Sequence, residues 1–139
     1  MKKKSLQLLI KRQKILIDQL SAQVAAKKEE VEHLALKRQE FLDTIAAIDT
    51  QEAQTIAFLS AAKEYVRDLF KQIEAIEKEL QLKQRELETL KKELQERFGE
   101  KKAYEKLLTK IEEKEIQEEI TNESRLADES FARKFIAHS

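Results

Sequence analysis

The chain has no cysteine, no proline and no tryptophan, and a single glycine in 139 residues. Without cysteine there can be no disulfide, no thiolate metal site and no thiol redox chemistry. Proline and glycine are the usual breakers of regular structure, so their near absence leaves long uninterrupted helix as the simplest reading. Aromatic residues make up 6% and charged residues 39%, too few and too many for a thick globular core. The charge of one sign is also missing: Lys plus Arg and Asp plus Glu both number 27. Bulk attraction to nucleic acid is therefore not expected, and no nucleic-acid partner is assigned. Long apolar runs are absent too. The longest are Leu8-Leu9-Ile10 and Ile15-Leu16-Ile17, far short of the ~20 residues a spanning helix needs. Lys11, Arg12 and Lys14 interrupt the apolar region a signal peptide would require. A soluble protein with no direct membrane insertion is the expectation.

What the sequence does contain is a heptad seam. Alternate steps of four and three from Leu6 pass through Ile10, Gln13, Ile17, Leu20, Val24, Lys27, Val31, Leu34, Arg38, Phe41, Ile45 and Ile48, mostly apolar. With Ile10 at an a position, the β-branched residues Ile10, Ile17, Val24, Val31 and Ile45 fall at a, and Leu6, Leu20 and Leu34 at d. Knobs-into-holes pairing of two helices favours this selection. The stepping resumes at Ala62 and runs through Val66, Leu69, Ile73, Ile76, Leu80, Lys83, Leu87, Leu90, Leu94, Arg97, Lys101, Tyr104, Leu108 and Ile111. A seven-residue repeat held this long predicts a left-handed supercoil.

Between the two runs, residues 49–55 supply no large apolar side chain. A turn fits there, with Asp49 or Ser60 as candidate caps for a second helix. The expected organisation is a first coiled-coil helix over 1–48, a turn region over 49–60, a second coiled-coil helix over 61–111 and an acidic, partly flexible overhang over 112–139. The fold class is all-α, a long antiparallel two-helix coiled-coil hairpin. The heptad phase also runs on through Glu52, Thr55 and Leu59, so the competing arrangement is one continuous helix in a parallel dimer. At ~1.5 Å per residue that helix would be about 200 Å long, whereas a hairpin buries both seams within one chain. With the turn near Glu52, residues near 4 should face residues near 100, and everything beyond about 105 should overhang.

Polar residues within the seam, namely Gln13, Lys27, Arg38, Lys83, Arg97 and Lys101, read as register-fixing positions whose long stems can snorkel outward. The two ends differ in charge. The first seventeen residues hold Lys2, Lys3, Lys4, Lys11, Arg12 and Lys14 and no acid; from Ile111 to Ser130 eight acids stand against Lys114 and Arg125. The basic end reads as a docking tip or as a solvated helix end. Ile116, Ile120, Leu126 and Phe131 leave the four-three stepping, so a solvated or partner-ordered tail is expected. Phe70, beside Leu69, Ile73 and Ile76, widens the apolar stripe beyond what one helix covers and suggests a helix-binding patch. Gly99 predicts a bend or fraying point in the second helix. There is no phosphate-binding glycine loop, no HExxH and no metal-spaced cluster. His33 falls at an outward position and His138 in the tail. The many Glu residues suit helix propensity and pairing with Lys or Arg four residues away. No enzymatic activity and no cofactor are expected.

Several segments together resemble the FliJ/YscO family, the coiled-coil stalk proteins of flagellar and virulence type III export systems. They are the basic start Leu6-Gln7-Leu8-Leu9-Ile10-Lys11-Arg12-Gln13, Lys37-Arg38-Gln39-Glu40-Phe41-Leu42, the stretch from Gly99 to Leu108, and Ser124-Arg125-Leu126-Ala127-Asp128-Glu129-Ser130-Phe131-Ala132-Arg133. The resemblance covers nearly the whole chain. It implies a hairpin similar to the central stalk of rotary ATPases, working as a monomer in the bacterial cytoplasm at the cytoplasmic face of the export apparatus. By the same resemblance, Lys2, Lys3, Lys4, Lys11 and Arg12 would meet the hexameric export ATPase ring. Tyr65, Leu69, Gln72 and Ile76 would meet the export-gate membrane protein, and flagellar members also contact recycled export chaperones. The alternative function is a structural coiled-coil dimer acting as a spacer or scaffold, which requires residues 49 to 58 to stay helical.

Overall fold

The computed structural model describes residues 2–49 and 55–138, without the side chains of residues 137 and 138. Two helices account for nearly all of it: α1 over Lys3–Asp49 and α2 over Ile56–His138. Among the described residues there is no strand. The helices pack against each other as an antiparallel hairpin, the fold class the heptads imply. Part of the expected turn, residues 50–54, lies outside the described residues.

The chain divides into two compact units, one formed by residues 1–17 with 96–139 and the other by residues 18–95. Each is a stretch of α1 against a stretch of α2. In the first, Gln13 Nε2 donates to Glu100 at 2.8 Å and Lys3 Nζ reaches Glu115 at 3.2 Å. In the second, Lys27 meets Glu86 at 2.8 Å, Lys83 meets Glu30 at 3.2 Å and Arg38 meets Glu77 at 3.0 Å. As numbers rise on one helix they fall on the other, which only antiparallel pairing produces.

Burial follows the seam. Every residue of both four-three series is buried or half-buried. The most enclosed are Leu6, Ile10, Ile17, Leu20, Val24 and Ile45 on α1, and Leu69, Ile73, Ile76 and Leu87 on α2. Ile45, Leu69 and Ile73 form one core cluster, flanked by Phe41, Leu42 and Val66. Removing such side chains from water, at about 25 cal/mol per Å² of apolar surface, is what holds a two-helix fold together.

Three details differ from the sequence reading. The cap of α2 is neither Asp49 nor Ser60. Thr55 Oγ1 accepts the amide hydrogen of Phe58 at 3.0 Å, three residues on, and satisfies one of the orphan donors of a helix start. The helix therefore begins at Ile56, and residues 56–60 are helical. Secondly, the facing register is displaced: Lys3 lies beside Glu115, so the overhang starts about ten residues later than position 105. A turn centred on Glu52 assumed equal offsets on both sides, whereas Ile45 packs on Leu69 and Ile73. The first turns of α2, residues 56–61, are exposed. Thirdly, α2 does not fray at Gly99 but stays helical through it, without a positive φ. Flanking hydrogen bonds of a long helix hold one glycine in place at a cost of about 1 kcal/mol.

Candidate functional site

The faces left open by the seam are where this molecule can bind anything. At the N-terminal end, helix geometry of about 100° per residue lines up Lys4, Leu8, Lys11, Arg12 and Ile15 on one side. All five are exposed, Leu8 and Ile15 by more than half. Lys2 is also exposed; Lys3 is half-buried and tied to Glu115. The expected docking set Lys2, Lys3, Lys4, Lys11 and Arg12 is thus four open cations and one engaged in an intramolecular ion pair. Sequence reasoning missed Leu8 and Ile15. Their spacing of seven was visible, but it was read only as part of short apolar runs whose other members face the seam.

The set Tyr65, Leu69, Gln72 and Ile76 shares one side of α2, but its members differ in access. Leu69 and Ile76 are 4% and 6% exposed, inside the seam. Tyr65 and Gln72 are exposed at its margin. A partner approaching this stretch would touch Tyr65 and Gln72 and leave the other two in the core.

Near the start of α2, Phe58, Leu59, Val66 and Phe70 form a shallow groove with Ile48, bordered by Lys63 and Arg67. Phe58 and Phe70 are about half exposed, and Ile56 is 90% exposed. Phe70 does widen the apolar stripe, as its position beside Leu69 suggested. Phe58 and Leu59 join it because α2 starts at Ile56, which the absence of a strong cap motif concealed.

A charged layer lies mid-seam in the second unit. Lys27 bridges Glu86 and Glu30 at 2.8 and 3.2 Å, and Lys83 meets the same Glu30 at 3.2 Å. Hydrogen bonding to Glu86, then Glu30, raises the Lys27 pKa above its ordinary value. Hydrogen bonds from Lys83 and Lys27 lower that of Glu30, and the one from Lys27 lowers that of Glu86. In the first unit the buried amide of Gln13 donates to Glu100, which also takes Arg97 at 3.5 Å. The Gln13 carbonyl oxygen has no partner. Each polar seam residue on α1 is answered by an acid on α2, so these positions fix register. Among the described residues no group of His, Asp and Glu is arranged to hold a metal ion. No described helix is long and apolar enough to cross a membrane.

Fold and faces together define a class: an antiparallel coiled-coil hairpin whose capacity for interaction lies on its ends and outer faces. The particular family follows from comparison with known proteins. A family model described as "Flagellar FliJ protein" matches residues 2–139, and the chain belongs to that family. It is accordingly a coiled-coil protein associated with flagellar or type III protein export, in a family of non-enzymatic export proteins. No curated protein and no solved structure matches the chain.

Proposed function

We propose that this chain is the central stalk of a type III export apparatus, inserting its basic end into the hexameric export ATPase ring and contacting the export gate. Family membership supports the setting. The observation that carries the contact is the open basic and apolar face of Lys4, Leu8, Lys11, Arg12 and Ile15. Its apolar members give a ring something to grip, and its cations steer it towards an acidic lumen. The stalk works as a monomer in the bacterial cytoplasm, at the cytoplasmic face of the apparatus. Gate contact falls on Tyr65 and Gln72, and the groove of Phe58, Leu59 and Phe70 is the surface best suited to an export chaperone.

The test is stimulation of the purified cognate ATPase by the purified chain. Lys4→Glu with Lys11→Glu should abolish stimulation and leave helicity and melting unchanged. Stimulation at the wild-type level would remove the basic end from the contact.

A further inference from the structure

Four acids on α2, Glu79, Glu86, Glu93 and Glu100, stand one heptad apart. A spacing of seven is close to two turns, so they form one row beside the seam. Only alternate members of the row are used. Lys27 meets Glu86 at 2.8 Å, and Gln13 donates to Glu100 at 2.8 Å. Lys27 and Gln13 are themselves two heptads apart, which is why they answer every second acid. Glu79 and Glu93 make no ion pair with any described residue. A move of seven places along the row, towards the start of α2, brings Lys27 and Gln13 each to an acid again.

The apolar seam permits the same move. Both of its series repeat every seven residues, so a slide of seven returns the seam side of α1 to the seam side of α2. The numbers of facing residues, 13 with 100, 27 with 86 and 30 with 83, total 113, and the slide lowers that total by seven. Ile111, half-buried in the observed register, loses the cover of the first turn of α1. Leu59, 41% exposed on the groove that Ile48 borders, comes directly under Ile48 in exchange. The connection does not oppose the slide. Asp49 moves closer to the level of Ile56, and the six residues between them reach up to ~20 Å.

We infer that the hairpin has a second register, in which α1 has slid one heptad, about 10 Å, towards the start of α2. Lys27 is then answered by Glu79, and Gln13 by Glu93. Charge makes this the minor state. Lys83 leaves Glu30 for Gln23, Arg38 leaves Glu77 for Phe70, and Lys3 leaves Glu115 for Leu108. A ligand in the groove of Phe58, Leu59 and Phe70 competes with Ile48 for Leu59 and so selects the observed register. The inference rests on the hairpin's packing and not on the ATPase contact.

The chain has no cysteine, so pairs of introduced cysteines report register in the full chain. Arg38→Cys is combined in turn with Glu77→Cys, Phe70→Cys and Lys63→Cys, three exposed positions one heptad apart. Intramolecular disulfide formation is followed by gel mobility in dilute chain under one oxidising buffer. Matching melting of the three reduced variants excludes unfolding as the source of any difference. The 38–77 pair, which matches the observed register, should close fastest. The 38–70 pair should close about ten- to a thousandfold more slowly, as a minor state of roughly 0.1–10% requires. It should still close at least about tenfold faster than the 38–63 pair, which only fraying or unfolding brings together. Glu79→Lys sets a base against Lys27 in the slid register alone. It should slow the 38–70 pair about fivefold and change the 38–77 pair less than about twofold. Closure of the 38–70 pair no faster than the 38–63 pair would overturn the proposal, and so would Glu79→Lys acting equally on the 38–70 and 38–77 pairs.

Discussion

Truncating Leu69 to Ala separates the core role of this residue from a partner-binding one. Leu69 is 4% exposed and packs with Ile45 and Ile73, with Phe41, Leu42 and Val66 around them. The substitution deletes three carbons, a transfer loss of about 2.4 kcal/mol at about 0.8 kcal/mol per group. A cavity contribution adds to this, but a seam only two helices thick can close around the gap, so the total should be about 2.5–3 kcal/mol, in the lower half of the usual range. Leu82, 54% exposed on the same helix, is the matched control. Leu82→Ala should cost no more than about 0.5 kcal/mol. Urea unfolding followed by far-UV circular dichroism measures both, the midpoint moving and the slope staying fixed. A Leu69→Ala loss within about 0.5 kcal/mol of Leu82→Ala would refute the packing argument and return Leu69 to the surface. On the proposed gate contact, Leu69→Ala should weaken gate binding only as far as it unfolds the chain, while Tyr65→Ala should weaken it with little loss of stability.

Three further outcomes follow from particular contacts. Gly99→Ala should stabilise the chain by about 0.5–1 kcal/mol in the same assay, because an added Cβ meets nothing within 4 Å and the backbone is helical. Thr55→Ala should cost about 1 kcal/mol and Thr55→Asp should restore it, since the side-chain oxygen caps the Phe58 amide. The charged layer gives stability two pH limits. Glu30 and Glu86 have folded pKa values below 4.5, so their contribution is present above that value and lost as pH falls through the lower folded values. Lys27 is raised above 10.5, so its contribution is present below 10.5 and lost as pH rises through the higher folded value. A variant with Lys27, Glu30 and Glu86 all changed to Gln should show a flatter stability profile at both ends than the wild type.

The seam was legible because two-helix packing leaves one stripe per helix and little else to encode. All the positions reached by stepping from Leu6 and from Ala62 are covered in the structure. The offset between the helices was less legible. It depends on where the connection ends, and the signal there was a lone Thr55 whose capping role is visible only once the Phe58 amide is placed. Register then followed from ion pairs such as Lys27 with Glu86, of which the sequence marks Lys27 as a polar seam residue without naming its partner. The outer faces were half legible. The basic cluster was plain as composition, but Leu8 and Ile15 between its members needed the helix to be laid out. The chain assignment of Leu69 and Ile76 to a binding face rested on family resemblance, which says which stretch matters and not which side of it is buried.

The account stands on one chain folding back on itself in a defined register, and zero-length carbodiimide cross-linking of a mixture of ¹⁴N- and ¹⁵N-labelled chains tests that most directly. The hairpin predicts Lys27–Glu86, Lys83–Glu30 and Lys3–Glu115 cross-links, each joining peptides of a single isotope. Mixed-isotope cross-links at these pairs, or cross-links between near-equal positions of two chains, would contradict it.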